Sequence, residues 1–232
     1  MLREFYKQYL KVTREISDRS VNHYITGLNS INTLLTKHNF PISDVFTVCS
    51  KIDLDSIDAF LKRNEEFLSK DLIGHNMYSA AFNHYYRFVC DDNLFSTFDI
   101  KRMDIPTKAE PFQHIDRFQH KRNRIIIDQS IAGAQYRCEG YIGHLTFTSK
   151  ATGKPYMEGH HLIPLRLQAQ FANDLDTYAN VICLCPLCHR LLHFGVDKEK
   201  SMLAEKLFEV RQHRLVNAGI DLSKNDFLKM VR

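Results

Sequence analysis

No run of eighteen apolar residues occurs in the 232-residue chain, which excludes a membrane-spanning helix by the usual length requirement. The start, Met1-Leu2-Arg3-Glu4, lacks the apolar core of a secretory signal. A soluble, intracellular, cytoplasmic protein with no membrane partner is therefore expected. Cysteine is sparse and poorly placed for a disulfide framework. Of the six, Cys49, Cys90 and Cys183 sit in apolar surroundings, whereas Cys138, Cys185 and Cys188 fall at metal-ligand spacing, as suits a reducing compartment.

Strong charge of one sign is also missing from the whole, since the net charge is only +4. The halves differ. Residues 1–113 carry 14 Lys+Arg against 15 Asp+Glu, whereas residues 114–232 carry 17 against 12. The positive potential thus belongs to the second half, where a polyanion would bind, although an ordinary solvated surface explains a charge of this size equally well.

What is present first is helical periodicity. Leu2, Phe5, Tyr6, Tyr9 and Leu10 recur at three and four, and Val21, Tyr24, Ile25, Leu28, Ile31, Leu34 and Leu35 repeat the pattern. Ser17, Asp18 and Ser20 offer caps to the second helix, and Asn39 and Pro41 end it. A third helix starts at Asp53 or Asp55 and carries Ile57, Phe60, Leu61 and Phe67, and a fourth follows Gly74. Phe46-Thr47-Val48 reads as a short extended piece. These four helices predict an all-α domain over residues 1–92, followed by an aperiodic linker over 93–113 containing Pro106 and Pro111. A helix resumes at His114 and opens a second domain, 114–232. Tyr78, His84, Tyr85, Tyr86 and Arg87 suggest a tyrosine nucleophile or a stacking platform, but tyrosine on a helix is more often packing.

The stretch from Tyr156 to His193 organises the rest. Glu158-Gly159-His160-His161 is extended and ends before Pro164, which stops regular pairing. Neighbours on a strand face opposite sides, so one histidine can hold a metal while the other takes a proton from water. Cys185 and Cys188 have the spacing of a zinc knuckle. His189 and His193, four apart, share one face of a helix beginning there and can bind a second metal. The polar turn at Lys150–Pro155 predicts a hairpin between 145–147 and 156–158. Further on, residues 199–213 read as an amphipathic helix through Met202, Leu203, Leu207 and Val210, broken at Asn217-Ala218-Gly219.

Glu158, His160-His161, Pro164, Asn180, the knuckle Cys185 to Cys188, His189 and His193 together resemble the HNH, or ββα-metal, nuclease family, most closely its McrA-like restriction endonuclease branch. The resemblance covers a core of residues 137–195. It implies an α+β protein: an N-terminal helical domain followed by a zinc-stapled ββα-metal nuclease domain with flanking helices. It assigns His161 as general base, His160, His189 and His193 as ligands of one catalytic divalent ion (Mg, Mn, Ni or Zn), and Asn180 as the brace of the loop between the strands. His193 joins the site as in the DNase colicins. The stretch GHNMYSAAFNHYYRFV looks like the closing helix of modules at the front of restriction and phage-defence proteins.

The commonest relatives carry a second CxxC upstream, and this sequence departs from them, since Tyr141 stands where the partner of Cys138 should be. His144 is the nearest competent residue, so Cys138, His144, Cys185 and Cys188 are expected to hold a structural zinc. Arg190 is a candidate for the scissile phosphate, and Glu158 either orients a histidine or is an ordinary strand residue. Asp174 and Asp176 are available for capping or an outer role. The activity implied is metal-dependent hydrolysis of DNA phosphodiester bonds in restriction or phage defence. The alternatives are a non-catalytic zinc-dependent nucleic-acid-binding module, or a nuclease of a mobile element or DNA repair. DNA is the expected partner, and a homodimer would let one-strand sites cut both strands. No base-reading motif is recognisable, so the target sequence stays open.

Overall fold

The computed structural model describes residues 2–90, 97–109 and 124–231. The chain divides into two compact units, residues 1–94 and 95–232.

Five helices form the first unit among the described residues: α1 (Leu2–Val12), α2 (Asp18–Lys37), α3 (Lys51–Leu61), α4 (Glu65–Ile73) and α5 (Met77–Cys90). Ser17 caps α2 by accepting a hydrogen bond from the Ser20 amide, and α2 packs along α5. A side chain at Gly27 would bring its Cβ to 2.9 Å from Ala81 Cβ, so glycine lets these two helices approach closely. Tyr6, Tyr9, Tyr85 and Phe88 join in one aromatic core. Burial raises the pKa of the Tyr6 and Tyr85 phenols well above the ordinary value, which suits packing and not nucleophilic chemistry.

Two readings of this unit need correction. The expected third helix is two helices, because Asn64 turns its side chain onto the Phe67 amide at 2.8 Å and starts a new one. Phe46 lies in a 3-10 turn, Val45–Thr47, capped by Asp44, instead of an extended piece. In both places a local side-chain cap overrides the apolar pattern.

The second unit is built on a two-stranded antiparallel sheet, β1 (Glu158–His161) paired with β2 (Val181–Leu184), in register with Glu158 opposite Leu184 and His161 opposite Val181. On it pack α7 (Arg124–Gly133) and α8 (Pro186–Phe194), and α9 (Asp197–Asn217) and α10 (Lys224–Met230) continue the layer from α8. Gly159 is required where α7 crosses β1, since a Cβ there would lie 2.5 Å from Ile127 Cγ2. Phe208 and Phe227 stack at 4.5 Å to fix α10 on α9. The expected hairpin before β1 is a single bridge, Thr148 to Pro155, closed by the Tyr156 amide on the Phe147 carbonyl at 2.8 Å.

The expected linker is structured over residues 97–109. It contains α6 (Thr97–Arg102), and the Thr107 carbonyl accepts from the Asp174 amide at 2.7 Å. Buried Asp104 forms a two-point ion pair with Arg214 of α9. Burial pushes the Asp104 carboxyl up, and the Arg214 guanidinium opposes that shift. The residues that conceal this order from the sequence are polar ones that pair inside the fold. The helix expected from His114 lies outside the described residues as far as 123.

The buried face of α9 also differs from expectation. Met202 and Val210 are exposed, and the core side is Leu203, Leu207, Arg211 and Leu215, each four residues from the last. Arg211 is only 4% exposed. It donates to both oxygens of Glu139 at 2.6 and 2.8 Å and to the Tyr178 carbonyl at 3.0 Å, and Glu139 in turn accepts from the Cys183 amide at 2.6 Å. Burial lowers the Arg211 pKa and Glu139 opposes it. The pair ties α9 to β2 and to the segment before β1.

Candidate metal centre

The alternation of β1 does what the sequence required of it. His160 turns toward α8, where His189 and His193 share a face, and the three ring centroids stand 4.9 to 5.0 Å apart with interplanar angles of 62 to 75°. Rings at such angles meet edge to face and do not stack. One nitrogen from each lies within 4.8 Å of the others, and His189 Nε2 and His193 Nε2 are 3.2 Å apart. A further residue orients the group: the Glu158 carboxylate bonds His189 Nδ1, so Nδ1 carries the proton and the Nε2 lone pair faces the cluster. A set of three imidazole nitrogens suits a borderline transition metal. A cavity of about 250 Å³ opens beside His160 and His193, with Arg166 and Lys200 in its wall.

His161 faces the other way and is nearly buried, at 8% exposed. Its Nε2 bonds Asp176 Oδ1 at 2.7 Å, and Asp176 is itself held because its amide donates to Asp174 Oδ1 at 2.9 Å. A carboxylate at Nε2 favours the tautomer with the proton there, which leaves Nδ1 as the acceptor of the ring. Asn180, fully buried, ties the loop between the strands: Oδ1 accepts from the Ile163 amide at 2.7 Å, and Nδ2 donates to the Ile163 and Leu175 carbonyls, both at 2.8 Å. Arg190, beside His189 on α8, is exposed, with its guanidinium 5.7 Å from the Phe194 ring.

A second group gathers Cys138, His144, Cys185 and Cys188, with one donor atom of each within 4.8 Å of the rest. His144 Nδ1 lies 3.3 Å from both Cys185 and Cys188 sulfurs. Cys185 starts α8, and its sulfur accepts from the Cys188 amide at 3.4 Å. Burial disfavours the Cys138 thiolate, but backbone hydrogen bonds at Cys185 and Tyr141 outweigh it and hold this thiol below its ordinary pKa. Burial, followed by hydrogen bonds with Cys185 and Cys138, pushes Cys188 up. Three thiol sulfurs and one imidazole nitrogen held this close are a donor set whose thiolates would repel one another without a cation between them. The donors therefore fit a closed tetrahedral zinc site.

All the expected ligand residues are thus brought together in two groups. Asp176, open in the sequence between capping and an outer role, stands on His161, 15 residues away, and no spacing had linked the two. Glu158 on His189 was open between an orienting role and an ordinary one, and the structure puts it on the ring. Arg211 was missed, although its four-residue spacing from Leu207 marks it as inward-facing.

Residues 147–195 match the family model of the HNH endonuclease. The chain is also 43% identical over 56 residues to the type IV methyl-directed restriction enzyme EcoKMcrA of Escherichia coli (strain K12). That match spans 24% of this chain and 18% of the relative. No solved structure matches the chain. Among the described residues no helix is long and apolar enough to cross a membrane.

Proposed function

From the premise that residues 147–195 form an HNH endonuclease domain of the McrA-like kind, we propose that the protein is a metal-dependent endonuclease hydrolysing DNA phosphodiester bonds in restriction or phage defence. The observation that carries the reading is the division of labour across β1, with His160 joined to His189 and His193 on one side and His161 held by Asp176 on the other.

In this reading His160, His189 and His193 would hold the catalytic divalent ion, which would supply Lewis-acid stabilisation of the charge that develops as the phosphodiester breaks. His161 Nδ1 accepts the proton of the attacking water, and Asp176 fixes the tautomer and stabilises the imidazolium that results. Glu158 keeps His189 Nε2 aimed at the ion. Arg190 and the cationic wall of Arg166 and Lys200 draw in the backbone. Asn180 keeps His161 and the β2 end in register. Cys138, His144, Cys185 and Cys188 hold a structural zinc that fixes the start of α8, and hence His189. The first unit positions DNA or a partner. A homodimer would allow both strands to be cut.

The test is incubation of purified protein with supercoiled plasmid, unmodified or cytosine-methylated, with Mg, Mn, Ni or no added divalent ion. Metal-dependent nicking or linearisation is expected. Tight DNA binding with no cleavage of any substrate would instead favour a zinc-dependent binding module.

A further inference from the structure

Phe147 is a large apolar side chain that the fold leaves 65% exposed. Its ring stacks on Tyr156 with centroids 4.8 Å apart and planes within 15°, so one face is covered and the opposite face meets solvent. Tyr156 is not isolated from the metal centre. Its hydroxyl donates to Glu158 Oε1 at 3.2 Å, and the other oxygen of that carboxylate bonds His189 Nδ1. Three contacts therefore lead from an open aromatic face to a nitrogen of the histidine cluster. The turn joining the two rings carries Lys150 and Lys154, both exposed and without a carboxylate partner among the described residues. The Glu158 carboxylate raises the pKa of the Tyr156 phenol, and the Arg190 charge, smaller in effect, opposes it.

We infer that the Phe147–Tyr156 pair is a nucleobase-stacking shelf of the nuclease site, taking the base of a nucleotide next to the scissile phosphate while Lys150, Lys154 and Arg190 meet its backbone. The inference rests on the nuclease reading above and adds what that site grips. A flat, open π face on a turn that carries two exposed lysines, linked by three contacts to the histidine cluster, matches a nucleotide in both charge and shape. A cross-strand aromatic pair also steadies a hairpin, but that role needs the rings only to meet each other and does not account for a ring left 65% exposed. Stacking is tolerant of base identity, so the shelf holds a base that has left its helical stack and does not read sequence.

The experiment is an abasic cycle on zinc-loaded full-length protein. Wild type, Phe147→Ala, Phe147→Leu and Phe147→Trp cleave a duplex of mapped cut position, intact or with one abasic site at each position flanking the cut. Phe147→Ala and Phe147→Leu should raise KM about 5- to 150-fold, the worth of one base–aromatic stack. Phe147→Trp should stay near wild type. At one flanking position the abasic substrate should weaken wild type by the same factor and leave Phe147→Ala unchanged. Equal losses for Phe147→Ala on intact and all abasic substrates, or full function of Phe147→Leu, overturn the shelf. Unchanged melting temperatures show that the variants fold. If wild type cleaves nothing, the nuclease reading fails separately. The shelf is then judged by quenching of 2-aminopurine placed along a bound duplex, expected with wild type and absent with Phe147→Ala, and equal quenching by both overturns it.

Discussion

Replacing Asn180 with alanine should destabilise the second unit severely, and the size follows from its contacts. The side chain makes three hydrogen bonds, to the Ile163 amide, the Ile163 carbonyl and the Leu175 carbonyl, at a position with no solvent exposure. Alanine leaves one donor and two acceptors buried without these partners, each costing about 1–3 kcal/mol. The penalties overlap, because one local rearrangement can rescue more than one group, so about 3–6 kcal/mol is expected. That is a large share of the roughly 5–15 kcal/mol that holds a typical domain. Asn180→Asp should cost nearly as much, since it keeps an acceptor for the Ile163 amide but turns a carboxylate oxygen on two carbonyls. Pulse proteolysis across a urea series reads the two units separately from fragment sizes, so a loss confined to residues 95–232 is measurable. A loss below about 1 kcal/mol would refute the reasoning that Asn180 is an irreplaceable brace.

Other perturbations have equally definite outcomes. Glu158→Gln should weaken the affinity of the histidine cluster for added Mn or Ni about 10- to 100-fold, with zinc content unchanged in elemental analysis. Cys185→Ser or Cys188→Ser should lower zinc below the expected ratio of about one per chain and lower the melting temperature of the second unit. His84 has a pKa lowered first by burial and then by Arg14 and Arg87. A base with a depressed folded pKa contributes stability that is complete above its unfolded value, about 6.5, and is lost as pH falls toward the folded value. The denaturation midpoint of the first unit should therefore drop between pH 7.5 and 5.5, and drop less in His84→Gln.

The parts of the site visible in the sequence are those set by short, regular spacing. His160 and His161 part company because strand neighbours always do, and His189 and His193 converge because positions four apart on a helix always do. Cys185 and Cys188 are joined by one turn. The apolar repeats of α1 and α2 likewise reappear as buried faces. What remained hidden is polar and distant in sequence. Glu139 and Arg211 are 72 residues apart, Asp104 and Arg214 are 110 apart, and neither pair has a periodicity to announce it. Such residues read as linker or solvated surface until the fold pairs them. The break between α3 and α4 was obscured for the opposite reason, because Phe67 continues an apolar pattern that the Asn64 cap interrupts.

The central claim is that one face of β1 binds the ion and the other supplies the base. The most direct measurement compares plasmid cleavage by wild type, His161→Ala and His160→Ala, each verified to be folded and zinc-replete, across a titration of Mn or Ni. The account predicts that His161→Ala binds the added ion as wild type does yet loses cleavage by at least about 100-fold, within the range for a lost general base. His160→Ala should lose both ion affinity and cleavage. Wild-type cleavage rates in His161→Ala at saturating metal would contradict it.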